Sequence, residues 1–405
     1  MRIVCLTPWY SEGMGYSENM LPKSLAKEGV EVHVVSSNAQ VSYNSPNYSK
    51  VYESFLGPRV VGCGVKEING YILHRLPFYE TKEYFRGPGI DDLYSYLEQL
   101  KPDIIQTFEI DLDITHVAAL YCKSNPCKLF TECHVHASVF MNRKNRLKKI
   151  AGYFWKSFSK WLQVINSTTQ ICYVIALDVQ ELATSYYKVS KNKIKLQPLG
   201  VDTEIFYPIQ DEEDEMSRNK IRIDFDIADE EIVCIYTGRF SKDKNPHCLA
   251  NAINYLQENN FPFKAIFIGN GTEADIDFIK GRKGCLVKPF VPVNELPKYY
   301  RAADIGVWPR EESMSQLDAA VCGLPLILSN KIKVFERVDG NGLLYEEGSH
   351  IDLANKLLML QDAEKRKQMS IHGIKKIKGN FSWQKIAENR INDYTHCSLD
   401  NFIGE

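Results

Sequence analysis

The chain has 405 residues, too many for one ordinary core, and with 44% hydrophobic and 25% charged residues it describes a soluble globular protein of two domains of about 200 residues each. The formal net charge of −2 excludes no partner by itself, but residues 1–200 carry 23 Lys and Arg against 18 Asp and Glu, so a basic half precedes an acidic one. Eleven scattered cysteines without Cys-x2-Cys spacing argue against a disulfide framework and for a reduced, cytoplasmic protein; the first apolar run is too short for a signal peptide, and none approaches 18 residues, the length a membrane span needs.

In chain order, short apolar runs alternate with helical patterns. Arg2 to Leu6 predicts a strand, Ser17 to Glu28 a helix closed by Gly29, and Val30 to Val35 the next strand. "PDIIQTF" (102–108) and "KLFT" (128–131) predict two more. In the second half the predicted strands are 231–238, 264–271, 285–290, 305–309 and 324–328, with helices at 245–258, 294–302 and 317–322. Strand, helix, strand, repeated twice over, predicts an α/β protein of two Rossmann-like, doubly wound domains, their parallel strands apolar without alternation. The boundary falls in "PLGVDTEIFYP" (198–208), ahead of an acid-rich stretch. Such sheets bind ligands at the carboxyl ends of their strands, and two domains face to face make a cleft.

The loops carry the chemistry. "YTGRFSKDKNP" (236–246) follows a strand and places Arg239 and Lys244 before a helix, where a guanidinium fork, an ammonium and a helix N-terminus suit a diphosphate held without a metal. A solvated basic loop is the plain alternative. "IGNGTE" (268–273) is a Gly-rich turn in which Gly269 and Gly271 let backbone approach a ligand, although most such turns are only turns. Phe290 stands at a strand end, either as a platform for a base or as a core aromatic. In "PREESMSQLDAAVCGLPLIL" (309–328), Asp318 opens a short helix; its carboxylate suits the vicinal hydroxyls of a ribose, the amides around Met314 and Ser315 suit a phosphate or sugar, and the acid also complements the helix dipole.

In series, "MRIVCLTPWYSEGMGYSENMLPKSLAKEGVEVHVVSS", "LGVDTEIFYP", "GRFSKDK", "IGNGTE", "VPVNELPKYYRAADIGVWP" and "LDAAVCGLPLILS" resemble the retaining nucleotide-sugar glycosyltransferases of family 4, over nearly the whole chain and in that family's order and spacing. The resemblance implies a GT-B fold: an acceptor-binding domain over 1–200, a donor-binding domain over 201–380, and a C-terminal helix, 381–405, returning to the N-terminal domain. It implies that Arg239 and Lys244 hold the donor diphosphate and that Asp318 stands where the second acid of the family's Glu-x7-Glu motif holds the ribose. Eight residues before Asp318 lies Arg310, not an acid, so Glu311 and Glu312 are the candidates for the first acid, with Glu312 favoured because "ESMS" resembles that loop. Gly15, in a Gly-Met-Gly turn, is expected to pass close to the diphosphate.

In the N-terminal half "LFTECHVHAS" (129–138) ends a strand; the resemblance implies that His134, rather than His136, lies near the donor sugar. Asp111 and Asp113 form an Asp-x-Asp, read here as loop and helix-start acids, and neither a metal nor another cofactor is expected. No acid occurs between Cys133 and Leu177, where Arg143, Lys144, Arg146, Lys148, Lys149, Lys156 and Lys160 interleave with aromatics. A basic, aromatic amphipathic helix over 140–162 suits an anionic membrane surface; the alternative is a helix packed on its domain with a solvated basic face.

The function expected is transfer of a sugar from a UDP- or GDP-sugar to the hydroxyl of a sugar or lipid-linked sugar acceptor, with retention, in cell-surface polysaccharide or glycolipid synthesis. The protein is then cytoplasmic or peripheral at the inner face of the membrane. No nucleic-acid motif accompanies the basic run, and nucleic acid is not expected as a partner. A nucleotide-sugar epimerase, turning over donor without acceptor, and a non-catalytic nucleotide-sugar binder, suggested by the displaced acidic motif, are the alternatives. A simple NAD dehydrogenase is disfavoured because no strand runs through Gly-x-Gly-x-x-Gly into a helix.

Overall fold

The computed structural model describes residues 1–82, 87–135, 159–310 and 313–397. They form two compact units, Met1–Leu199 with Trp383–Glu405, and Gly200–Ser382. The chain passes from the first unit to the second at Leu199/Gly200 and returns at Ser382/Trp383.

In the first unit the strands are β1 (Arg2–Thr7), β2 (Glu31–Ser37), β3 (Gly64–Ile68), β4 (Tyr71–Leu76), the ribbon of β5 (Phe78–Tyr79) with β6 (Gly89–Ile90), then β7 (Ile104–Thr107), β8 (Lys128–Cys133), β9 (Thr169–Val174) and β10 (Ile194–Leu196). The sheet runs β10-β9-β8-β7-β1-β2-β4-β3, parallel except at the β3 edge. β1 is central: Ile3 pairs with Val32 on one side and Ile104 on the other. Its residues Ile3, Val4, Cys5 and Leu6 have no exposed surface, as expected of a strand covered on both faces. Strand order reverses at β1, so the crevice between β1 and β7 is this sheet's topological switch point.

Two helices share one face of this sheet. Helix α1 (Ser17–Lys27) buries Met20, Leu21 and Leu25, and they join Trp383, Ile386, Ala387 and Tyr394 of the C-terminal helix α5 (Trp383–His396) in one apolar cluster with Ile3, Cys5 and Phe130. Each large apolar side chain so buried contributes about 1.5–3 kcal/mol. On the other face, helix α2 (Lys160–Thr168) sets Leu162 and Ile165 into the second apolar cluster, with Trp161 packed against it. Trp161, which the basic-helix reading offered to a lipid surface, therefore lies against the core. The rest of the basic segment, residues 136–158 with His136 among them, falls outside the described residues.

The second unit's sheet, β13-β12-β11-β14-β15-β16, is parallel throughout. Its strands are β11 (Ile232–Thr237), β12 (Phe263–Ile268), β13 (Cys285–Lys288), β14 (Ile305–Trp308), β15 (Leu326–Ser329) and β16 (Gly342–Tyr345), with helix α3 (Pro246–Glu258) after β11 and helix α4 (Ser315–Val321) after β14. β11 is flanked by β12 and β14, which puts the switch point between β11 and β14. The strands that the sequence reading missed are short or interrupted by polar residues. β4, for instance, buries His74 2.8 Å from His33 and Arg75 under the Tyr10 carbonyl at 2.9 Å.

If α5 holds the first unit together through this cluster, Ile386→Ala should destabilise it by about 2–5 kcal/mol, read from urea unfolding followed by intrinsic fluorescence. A loss below about 1 kcal/mol would show a helix only loosely docked.

Candidate active site

In the second unit the loops after β11 and β14 flank the switch point. β11 ends at Thr237, and residues 238–245 turn into α3, whose first residue is Pro246. Phe240, 1% exposed, anchors this loop, and its carbonyl-side turn is fixed by Tyr236, whose hydroxyl donates to the Arg239 carbonyl at 2.8 Å. With the backbone pinned, the Arg239 side chain projects 74% exposed, leaning among the described residues on Asp243 at 3.3 Å. Lys244 sits half-buried on the same loop. The structure thus leaves a guanidinium beside open solvent at a strand's carboxyl end.

The neighbouring Gly-rich turn has a structural reason that the sequence did not disclose. Gly238 N donates to the Ile268 carbonyl at 3.0 Å and Phe240 N to the Asn270 carbonyl at 2.8 Å, so the two loops extend the β11–β12 ladder past the strand ends. At Gly269, with φ of 151°, a Cβ would lie 1.9 Å from the Gly238 carbonyl oxygen; at Gly271 it would lie 2.5 Å from that of Phe240. A protein neighbour is by itself enough to require both glycines. The helix that follows, residues 273–280, is closed at its N-terminus by Thr272 and Asp275, each accepting from the other's backbone N–H. Phe290, beyond β13, is 72% exposed, so the core alternative for it is excluded.

Across the switch point, α4 begins at Ser315 with Met314 as its cap residue. Met314 packs against the core, and Asp318 lies in the first turn, half-buried. Burial pushes the Asp318 carboxyl up to about 8; Asp202 adds to this and Arg337 opposes it. Arg337 is committed to the same turn, donating to the Ser313 carbonyl at 2.9 Å and to Gln316 Oε1 at 3.1 Å. Glu311 and Glu312 lie outside the described residues. Arg310, eight residues before Asp318, donates to Glu347 at 3.0 Å and to the Lys242 carbonyl at 3.4 Å, tying the β14 loop to the Arg239–Lys244 loop.

In the first unit, the loop after β1 carries Gly15, exposed and with nothing within 4 Å of a would-be Cβ. Near it opens a cavity of about 480 Å³ whose lining includes Glu12, Gln40, Cys63, Lys66 and Arg75. Glu12 there joins two cations, Lys66 at 2.6 Å and Arg75 at 3.6 Å. On the other side of β1, His134 emerges from β8. Its Nε2 lies 2.5 Å from Glu132 Oε2, and its backbone N–H donates to Glu109 at 3.3 Å. Burial pushes the Glu18 carboxyl, in the first turn of α1, up to about 7. Sequence reasoning missed Glu18, Glu109 and Glu132. For Glu132 a signal existed, since residues two apart on a strand share a face. Asp111 accepts from the Tyr187 hydroxyl at 2.8 Å while Asp113 begins a helix and accepts from Tyr79, so each acid has its own tyrosine.

The family model described as Glycosyltransferase Family 4 matches residues 13–205, and that described as Glycosyl transferases group 1 matches residues 217–376. Spore coat protein SA of Bacillus subtilis (strain 168) is 26% identical over 249 residues, 57% of this chain and 66% of that protein. The UDP-Gal:alpha-D-GlcNAc-diphosphoundecaprenol alpha-1,3-galactosyltransferase of Escherichia coli is 27% identical over 264 residues, 62% of each chain. The match therefore spans less than two thirds of either relative. The structure of Anabaena Alr3699/HepE in complex with UDP shares the fold, with a TM-score of 0.66 over 98% of this chain and 100% of that one at 15% identity.

Asp318 gives this site a pH signature. With its carboxyl raised to about 8, the folded protein binds a proton there that the unfolded chain releases near 3.8. The neutral acid's contribution to stability is complete below the unfolded value and is lost as pH rises toward 8. Asp318→Asn, which cannot titrate, should therefore gain stability relative to wild type steadily from pH 5 to 8 and hold a constant difference above it. Thermal unfolding across that range measures this; parallel curves would mean that Asp318 is an ordinary exposed acid.

Proposed function

We propose that this chain, a GT-B glycosyltransferase with a family 4 domain over 13–205 and a group 1 domain over 217–376, transfers a sugar from a nucleoside-diphosphate sugar, UDP- or GDP-linked, to a hydroxyl acceptor with retention of anomeric configuration. The observation that carries this reading is the pair of loops at the second unit's switch point, with exposed Arg239 and neighbouring Lys244 on one and Asp318 on the other. This is where a doubly wound sheet receives a nucleotide. Asp318 takes the ribose hydroxyls, Phe290 offers an exposed ring to the base, and the Met314–Ser315 backbone and Glu312 or Glu311 contact the donor sugar. The turns at Gly15, Gly269 and Gly271 border the donor.

The donor's C1–O bond breaks with its electron pair moving onto the diphosphate, where Arg239 and Lys244 stabilise the developing charge through charge-assisted hydrogen bonds, without a metal. The acceptor oxygen bonds C1 from the face the diphosphate leaves, and its proton passes to the departing phosphate oxygen. Retention then needs no protein nucleophile. His134 hydrogen-bonds the donor. The first unit holds the acceptor, and its cavity beside Glu12, Lys66 and Arg75 offers polar walls to a sugar or sugar phosphate. The E. coli relative is named for a UDP-Gal donor and a lipid-linked acceptor, which supports a lipid-linked sugar here and a role in cell-surface polysaccharide or glycolipid synthesis. Among the described residues no helix is long and apolar enough to cross a membrane. Contact with an anionic inner membrane face falls to the basic residues of 140–162, Trp161 and Leu162 being turned to the core.

Arg239→Ala and Lys244→Ala should each lower turnover by about two or more decades without loss of folding, while EDTA leaves wild-type activity largely intact. The product's anomeric configuration, read by NMR, should match the donor's. Activity within about threefold of wild type in both variants would remove the diphosphate assignment; an inverted product would sink the mechanism.

For the basic segment, vesicle sedimentation should show binding to anionic liposomes, absent on neutral ones and lost at high salt, since each basic residue near such a surface adds about 1 kcal/mol before screening. Replacing Lys148, Lys149, Lys156 and Lys160 with Gln should abolish it. Wild-type protein that ignores anionic vesicles at low salt would assign the segment to packing.

A further inference from the structure

Glu132 on β8, with His134 one residue past the strand's end, meets the far end of the chain. Glu132 is buried, its side chain 4% exposed, and a carboxylate so placed needs charged or hydrogen-bonding partners. Its Oε1 accepts from Arg390 Nη2 of α5 at 2.7 Å, and its Oε2 meets His134 Nε2 at 2.5 Å. Arg390 is itself held by further contacts. Its guanidinium lies 3.0 Å from the centroid of the Tyr173 ring, and its Nη1 donates to Gln106 Oε1 at 3.4 Å. That oxygen also accepts from the Tyr394 hydroxyl at 2.8 Å. The helix is anchored again one turn on, where Asp393 accepts from the Tyr173 hydroxyl at 2.9 Å and pairs with Lys195 at 2.7 Å.

We propose that Arg390 is a positioning residue: through Glu132, the C-terminal helix fixes the orientation of the His134 ring and favours its charged form, so that His134 serves its substrate as a hydrogen-bond donor through Nδ1 and not as a base. The inference deepens the transferase reading and rests on it for the identity of the substrate. With Nε2 committed to Glu132, Nδ1 has no hydrogen-bond partner among the described residues. A ring that donates from both nitrogens suits the oxygen-rich, anionic donor and cannot take the acceptor's proton. Three carboxylates act on the ring: Glu132 from its own strand, Glu109 from the turn after β7, and Glu18 from the first turn of α1. Arg390 is the cation beyond them. Burial works against the charged ring, but the hydrogen bond and charge of Glu132, with the charges of Glu109 and Glu18, outweigh it and raise His134 above its ordinary 6.5. Burial likewise works against the Glu132 carboxylate, and Arg390 and His134 together hold it below the usual range.

The test titrates His134 by NMR in the ligand-free, full-length protein with labelled histidine, assigning its signal with His134→Gln. Wild type should titrate above 6.5, and Glu132→Gln should lower the midpoint clearly, because burial is then opposed only by the more distant charges of Glu109 and Glu18. Where Glu132→Gln fails to fold, Glu132→Asp, which keeps the charge and shortens the reach, should keep the midpoint raised. Arg390→Lys keeps the ion pair but loses the planar fork. It should hold the raised midpoint while kcat falls about tenfold and donor KM moves less than about threefold. A wild-type midpoint at or below 6.5, or Arg390→Lys turning over within about twofold of wild type, would overturn the proposal. The titration needs no activity. A raised midpoint that Glu132→Gln lowers, in a protein that transfers no sugar from any nucleotide donor, would support the relay and retire the transferase reading.

Discussion

One carboxylate, that of Glu132, is shared between a cation from the end of the chain and a histidine at the mouth of the first sheet, and much of the first unit depends on it. A buried ion pair of this kind adds little stability over an apolar filling of the same shape, yet removing one partner costs about 3–5 kcal/mol because the other charge is left stranded. Such a pair therefore specifies an arrangement more than it strengthens one. Here it specifies that Trp383–His396 lies on the sheet begun by Arg2–Thr7, with Arg390 over Tyr173 and Tyr394 on Gln106. The apolar contacts of Trp383, Ile386 and Ala387 supply the burial, and the charges set the register.

The second unit solves a different problem. Its loops must stay open at the carboxyl end of the sheet, and backbone in an open loop is held only by what it can pair with. The β11 and β12 loops pair with each other, through Gly238 N to Ile268 and Phe240 N to Asn270, and that closeness is what forbids a side chain at Gly269 and Gly271. The β14 loop is tied to the β11 loop by Arg310 at the Lys242 carbonyl and by the Trp308 indole N–H donating to the Thr237 carbonyl at 3.1 Å. A frame results from which the Arg239 side chain projects into solvent, 74% exposed. Asp318 is the opposite case, an acid drawn into the frame far enough for burial to govern its proton.

The two units divide the charge accordingly. Arg239 and Lys244 stand at the second unit's switch point, and in the first unit the carboxylates of Glu132, Glu109 and Glu18 act on His134. A transferase that separates charge between an anionic leaving group and an electron-poor sugar has use for both kinds of surface.

Much of the fold was legible in the sequence. Apolar runs such as "RIVCLT" and "IVCIYT", punctuated by Gly and followed by helical periodicity, determine parallel strands and crossover helices, because a strand buried on both faces must be apolar throughout. The positions of the candidate loops were legible too, since Arg239, Lys244 and Asp318 stand at strand-to-helix junctions whose order along the chain fixes which sheet carries them. What only tertiary structure decided lies at long sequence separation. Arg390 is 258 residues from Glu132, and no local pattern announces that a basic residue on a polar-looking C-terminal helix is 3% exposed. The reason for Gly269 was hidden in the same way, because a clash with the carbonyl of Gly238 exists only once two strands have paired. Sequence periodicity reports the burial of a face; which particular groups meet across that face depends on strand order, and strand order is settled by the whole chain at once.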